Sequence, residues 1–239
     1  MIPLDIDRLR RAFPARAVHY YPSIDSTMTA AASLPPGDVV LAEEQTAGQG
    51  RHGHSWHSAP GDGIYCSLVL PQSPLLTLAL GLAAHTAIFE ATGLVCDLRW
   101  PNDLMLADRK VAGILVQASG RNAVAGIGIN VNHTGFPDDV AAIATSLRIA
   151  AGRLLPREDI LLALLPAIDA IVPQNASAIL ASFTQLSSYA SGRRVEVEQA
   201  DGVLRGTTAG LSPDGYLIVR KDDGTDTLIL AGGVRAART

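Results

Sequence analysis

Gly48, Gly50 and Gly53 are interleaved with Gln49, Arg51 and His52 in a stretch that continues His54-Ser55-Trp56-His57. Residues of these types can hold an anion. Glycines let backbone N–H groups approach it closely, and a guanidinium grips phosphate or carboxylate through two parallel hydrogen bonds. The spacing formally matches GxGxxG. The dinucleotide-binding form of that motif needs a helix opening at the third glycine, whose first amides bind pyrophosphate. Here Ser58-Ala59-Pro60-Gly61-Asp62-Gly63 follows, which is loop chemistry. No HRD, DFG or GxxxxGK[ST] sequence occurs, which excludes kinase-type and P-loop phosphate sites. What remains is a flexible loop with exposed amides, one guanidinium and a tryptophan. His52, His54 and His57 lack the carboxylate or cysteine cluster of a metal site, so no metal ligands are expected.

The elements that must position this loop alternate in type. Residues 5–13 read as a short amphipathic helix behind Asp5. Ser26 is expected to cap a second helix running to Ser33, stopped by Pro35-Pro36-Gly37. Val39–Ala42 and Ile64–Leu70 read as strands on either side of the loop. Thr77–Thr92 reads as a helix ended by Gly93. Leu94–Trp100, Leu104–Ala107, Val111–Ala118 and Ala123–Val131 are strand-like runs joined by short turns, which predicts an antiparallel meander. Helical patterns return from Arg157 to about Tyr189. The tail carries short strands at Val195–Glu198, Val203–Thr208, Tyr216–Arg220 and Leu228–Leu230, punctuated by Asp201-Gly202, Asp214-Gly215 and Asp223-Gly224. That pattern predicts a small β-barrel.

The 239 residues carry a net charge of -4, with 48% hydrophobic and 18% charged residues. This suits a globular chain with a real core and offers no broadly basic face for nucleic acid. The two cysteines, Cys66 and Cys96, lie in apolar runs, as buried thiols do. Met1–Phe13 lacks the apolar run of a signal peptide, and no stretch reaches the length of a membrane span. A cytoplasmic protein without a membrane partner is expected.

Four further segments accompany the loop: Ser26-Thr27-Met28, Arg99-Trp100-Pro101-Asn102-Asp103, Lys110-Val111-Ala112-Gly113-Ile114-Leu115 and Gly126-Ile127-Gly128-Ile129-Asn130-Val131-Asn132. With these in register from Ser23 to Asn132, the chain resembles the catalytic domain of biotin protein ligases. From Gly192-Arg193-Arg194-Val195 onward it is similar to that family's SH3-like C-terminal domain. The resemblance implies an α+β fold of the class II synthetase-like, biotin/lipoate ligase kind. Its mixed, largely antiparallel sheet has flanking helices, with a catalytic domain over residues 1–187 and the small β-barrel over 188–239.

The activity it implies has two steps. The carboxylate of biotin attacks the α-phosphate of ATP, which is bound with Mg²⁺, giving biotinyl-adenylate and pyrophosphate. A lysine of a biotin carboxyl carrier protein domain then takes the biotinyl group. Two anions must meet, so fixed positive groups are needed; Lys110 and Arg51 are the catalytic candidates. For biotin the resemblance implies Ser26, Thr27, Met28, Gln45, Gln49, Gly50, Arg51, Trp56, Lys110, Gly113, Gly126 and Gly128. For the nucleotide it implies Gly48, Arg51, His52, Asn102, Asp103, Lys110 and Asn130. Hydroxyls and an amide at Ser26, Thr27 and Gln45 suit a ureido ring with two N–H donors and a carbonyl. Mg²⁺ is expected to be held by phosphates and water, without a protein cage.

The loop departs from the family's GRGRxGRxW. Gln49 and His54 replace two arginines, Arg99 replaces the usual lysine before Trp-Pro-Asn-Asp, Met28 replaces asparagine, and Gln117 stands where glutamate is common. Arg51 is thus the loop's only guanidinium, with His52 and His54 beside it as donors when protonated. The alternatives are a lipoate or octanoate ligase or transferase of the same fold, a biotin-binding module without activity, and a DNA-binding repressor. The 22 residues before Ser23 are too few for a helix-turn-helix domain. Edge strands of the sheet could pair two subunits into a homodimer.

Overall fold

The computed structural model describes residues 3–199 and 202–237. Met1 and Ile2, at the head of the segment expected not to be a signal peptide, lie outside them, and so does Asp201 of the expected Asp201-Gly202 turn. Asp5 accepts a hydrogen bond from the Arg8 amide and caps helix α1 (Ile6–Ala12), as its type predicts. Strand β1 (Val18–Tyr21) was invisible to alternation, and its ladder is the parallel one with β2 (Val39–Ala42). Between them lies helix α2 (Thr27–Ala31). The expected helix to Ser33 is thus shorter, and Ser26 makes no side-chain capping bond. Its place is taken by Gln45, whose side-chain oxygen accepts from the Thr27 amide at 2.9 Å. A distant residue therefore starts this helix.

The glycine-rich stretch leaves β2 and returns as β3 (Gly63–Pro71), buried along eight of its nine residues. A strand can be so only if both faces are covered. One cover is α2; α3 (Leu76–Thr92), apolar all round and buried along most of its length, follows β3 and packs on the part of the sheet formed by the later strands. It ends on Gly93, whose left-handed φ of 76° lets its amide reach the Phe89 carbonyl. Then come β4 (Asp97–Arg99), β5 (Asp103–Leu106), β6 (Arg109–Ser119) and β7 (Asn122–Asn130). The expected strand at Leu94–Trp100 shrinks to three residues because only Asp97–Arg99 finds partners on β5. The sheet order is β1-β2-β3-β7-β6-β5-β4, with every pair after β1–β2 antiparallel. The short turns joining β4 to β7 produce the meander that their spacing predicts.

Short helices α4 (Asp138–Ala141) and α5 (Leu147–Ala151) follow, then α6 (Arg157–Ile171), which packs on α3, and α7 (Ala176–Gln185). The second sheet contains β8 (Ser191–Gln199), β9 (Gly202–Leu211), β10 (Leu217–Arg220), β11 (Asp226–Ile229) and β12 (Val234–Ala236) in the antiparallel order β11-β10-β9-β8-β12. The tail spacing anticipates the first four. It misses β12, three residues long and a strand through its pairing with Val195–Val197.

Candidate functional site

Strand register brings Gly113 of β6 opposite Gly128 of β7. A Cβ on Gly128 would lie 2.5 Å from the Trp56 indole, and one on Gly113 2.9 Å from it. The two residues therefore form a bare shelf on which the indole rests. Two positions earlier, a Cβ on Gly126 would meet the Met28 sulfur at 2.7 Å. Gly48 approaches the Trp56 carbonyl so closely that a Cβ there would sit at 2.6 Å. These glycines are needed for space, with no unusual backbone angle involved. Gly128→Val should push the indole off the shelf and weaken binding of a ligand seated there about fivefold or more, the equivalent of the about 1–3 kcal/mol that overpacking costs. Calorimetric titration with biotin checks this, and unchanged affinity contradicts it.

One end of the shelf is polar. The Thr27 hydroxyl donates to Gln45 Oε1 at 2.9 Å and lies 2.8 Å from the Ser67 hydroxyl. Gln45 Nε2 donates to Ser58 Oγ at 2.9 Å. The hydroxyl of Ser26, the residue before Thr27, is buried with no hydrogen-bond partner among the described residues. A buried hydroxyl without a partner is costly, and a ligand can satisfy it.

The other end is charged. Lys110 Nζ lies 2.5 Å from Asp103 Oδ1 and 5.2 Å from the centre of the Trp56 ring. Arg99 Nη2 donates to the other Asp103 oxygen at 2.5 Å. Burial alone would raise the Asp103 carboxyl, but Lys110 and Arg99 hold it below the usual carboxylate range. Arg51 Nη1 donates to Asn102 Oδ1 at 3.0 Å, and Asn102 Nδ2 to the Ile114 carbonyl at 3.0 Å. Burial lowers the Arg51 guanidinium from its ordinary value, against the pull of Asp103. The Lys110 backbone is pinned on both sides. Its amide donates to Ile143 O at 2.7 Å, and its carbonyl accepts from Thr145 N at 2.9 Å.

A cavity of about 50 Å³ runs between these ends. Thr27, Met28, Gln45, Gln49, Gly50 and Arg51 line it, and so do Trp56, Asn102, Lys110, Gly113, Gly126 and Gly128. The other expected residues stand off its wall. Ser26 and Gly48 touch the wall's own residues, and Asp103 holds Lys110 from behind. His52 is exposed at a φ of 55°, within a single 3-10 turn over Arg51–Gly53 that ordinary loop chemistry did not predict. Asn130 is buried, with its Nδ2 given to the Thr145 carbonyl. Tyr65, Cys66, Ile114, Leu115 and Ile127 on the wall, and Ser58 and Ser67 behind it, were not among the expected site residues. Ser67 left a signal: a serine inside the apolar run Ile64–Leu70.

His133 follows this region, 1% exposed and stacked on Phe136 with ring centres 5.1 Å apart. Neither ring nitrogen has a hydrogen-bond partner among the described residues. Burial pushes its pKa down to about 4; Asp62 opposes the shift and His57 adds to it. The unfolded ring titrates near 6.5, so the unfolded chain takes the proton more readily. This contribution to stability is complete above about pH 6.5 and is lost as the pH falls towards about 4. Urea midpoints should fall less over that window in His133→Phe than in the parent chain; equal slopes would contradict the assignment.

Residues 20–133 match the model of the Biotin/lipoate A/B protein ligase family, and residues 190–234 that of the Biotin protein ligase C terminal domain. The chain is 32% identical over 229 residues to the bifunctional ligase/repressor BirA of Bacillus subtilis, covering 86% of this chain and 70% of that protein. It is 32% identical over 210 residues to the biotin--[acetyl-CoA-carboxylase] ligase of Mycobacterium tuberculosis, covering 82% and 77%. The biotin protein ligase of Aquifex aeolicus, solved with biotin and ATP, superposes with a TM-score of 0.84 at 28% identity, over 93% of this chain and 99% of that one. The chain belongs to the biotin protein ligase family.

Proposed function

We propose that this protein is an ATP-dependent biotin ligase, a carbon–nitrogen ligase that forms biotinyl-5'-adenylate and passes the biotinyl group to a lysine of a biotin carboxyl carrier protein domain. The observation that carries this is the two-ended cavity. Thr27 and Gln45 line one end and Lys110 and Arg51 the other, with the Trp56 shelf between, and the buried Ser26 hydroxyl belongs to the residue just before Thr27. A ureido ring offers donors and an acceptor to the first end, and an aliphatic chain fits against indole and glycine. The carboxylate then arrives among cations. Lipoate or octanoate would leave the polar end unsatisfied, which disfavours that alternative.

The chemistry follows from charge. Carboxylate and triphosphate repel, and Lys110 with Arg51 offsets that repulsion and the charge developing at phosphorus. To do so Lys110 must exchange part of its contact with Asp103 for the substrates, and the Asp103–Arg99 pair keeps the carboxylate satisfied meanwhile. Among the described residues no group of three His, Cys, Asp or Glu side chains is placed to hold a metal. Asp103, the carboxylate beside Lys110, is already paired with Lys110 and Arg99, which leaves Mg²⁺ to travel with the nucleotide phosphates. Arg51→Gly should let adenylate escape before transfer, because the loop excludes water from it. Mass spectrometry of mixed bystander proteins should then find stray biotinylated lysines; carrier-only labelling contradicts this.

In the same reading, residues 1–187 are the catalytic domain and 188–239 the C-terminal one. No DNA partner is included. Two copies could pair through the edge strands β1 or β4. No helix among the described residues is long and apolar enough to cross a membrane, and a cytoplasmic location is supported by the buried, unpaired thiols of Cys66 and Cys96. The test is incubation with ATP, biotin and a purified carrier domain. An ATP-dependent mass gain of one biotinyl group on the carrier is expected, and its absence overturns the proposal.

A further inference from the structure

A second cavity, of about 240 Å³, lies between the start of α3 and the second sheet. Its inner end is Arg51, which also lines the first cavity, as do Ile114 and Leu115. Its outer lip is the β9–β10 turn with Asp214 and Tyr216, joined by Leu230. The pairing of Leu217 with Ile229 carries Tyr216 opposite Leu230, so an aromatic and an aliphatic residue form one exposed lip, at 37% and 65% exposure. The turn is fixed against the first sheet, because Trp100 Nε1 donates to the Gly215 carbonyl at 2.8 Å. Asp214 itself is exposed and forms no ion pair among the described residues.

We propose that this second cavity is the port through which the acceptor lysine of the carrier domain reaches the adenylate, with Asp214 drawing its ammonium to the mouth. The inference rests on the ligase reading above and assigns the route of its second substrate. The cavity, about 240 Å³, has room for one extended side chain. A carboxylate at the lip repels a triphosphate and attracts an ammonium. Apolar walls at Leu78, Trp100 and Pro101 suit a four-carbon stem.

Arg51 at the inner end completes the argument. A like charge disfavours the protonated amine, so the ammonium gives one proton to water on its way in. The free amine then attacks the acyl carbon. The carbon–nitrogen bond forms, the bond from acyl carbon to phosphate oxygen breaks with its electrons leaving on AMP, and the second proton passes to water. Arg51 lines both cavities, and on this route the amine reaches the first cavity past Arg51 as its bond to Asn102 gives way.

The experiment separates the two half-reactions in the full chain. Biotin-dependent exchange of pyrophosphate into ATP should be unchanged in Asp214→Asn and Asp214→Lys. Transfer of biotin to a carrier domain should fall about fivefold in kcat/KM for Asp214→Asn, as for one partly exposed ion pair, and about tenfold or more for Asp214→Lys. Asp214→Glu should restore it. Capture of the adenylate by hydroxylamine, an uncharged acceptor near neutral pH, should match the parent chain. Transfer at parental rates in both variants, or a parallel fall in exchange, overturns the port while leaving the ligase standing. Absence of any biotin-dependent exchange in the parent chain overturns the ligase reading and the port with it.

Discussion

Lys110→Ala should reduce adenylate formation by about 10²–10³-fold, the usual loss when a preorganised charge at a developing anion is removed. Biotin should still bind, because the polar end is built from Thr27, Gln45, Ser58 and Ser67, none of which touches Lys110. The fold should survive as well. Asp103 keeps its contact with Arg99, and the backbone of residue 110 keeps its bonds to Ile143 and Thr145. Pyrophosphate exchange measured beside biotin titration checks both halves. Exchange at the parental rate would remove Lys110 from the reaction. Loss of biotin affinity alone would make it a binding residue.

The largest effect on stability should come from Arg157→Met. Arg157 and Glu43 are a buried pair, their side chains 3% and 7% exposed and 2.8 Å apart. Arg157 Nη1 also donates to the Gly63 carbonyl at 3.0 Å, and Glu43 Oε1 accepts from the Leu4 amide at 2.6 Å and the Tyr20 hydroxyl at 3.2 Å. Taking away one partner of such a pair costs about 3–5 kcal/mol, because the other is left as an uncompensated buried charge. For a chain of this length that is a fall in Tm of about 6–20 °C. The consequence reaches the site, since Gly63 is where the glycine-rich loop re-enters the sheet, and Glu43 O accepts from the Gly61 amide at 3.2 Å. Thermal unfolding of Arg157→Met and of a Glu43→Gln/Arg157→Met double variant checks it. The double variant should recover much of the loss, and equal Tm values in the single variant and the parent would contradict the assignment.

What the sequence revealed, and what it hid, follows from how each feature is encoded. Gly93 and Asp5 act on their own neighbours, so their roles as helix stop and cap are visible locally. The β4–β7 meander is set by short turns, which are also local. Strand β1 and strand β12 exist only through distant partners, and no window of sequence contains the information. The same division runs through the site. Gly113, Gly126 and Gly128 were found by motif, but the reason for them, the resting place of Trp56 and Met28, needs the strand register. Ser26 was expected as a cap and is instead an unsatisfied buried hydroxyl, because Gln45 reaches across from the loop to begin the helix. Asn130, expected beside nucleotide, is held in place by its Nδ2 bond to the Thr145 carbonyl, a partner fifteen residues away that no local window of sequence reveals.

The places of the loop's side chains are likewise not legible in its composition. Arg51 is committed to Asn102, and His52 and His54 face solvent. Arg51, the loop's one guanidinium, lines both cavities.

The most direct test of the central claim is exchange of labelled pyrophosphate into ATP, run in parallel with biotin, lipoate and octanoate. The two-ended cavity predicts exchange with biotin that is lost in Lys110→Ala, and none above background with the other two acids. Exchange driven by lipoate or octanoate but not by biotin would contradict it.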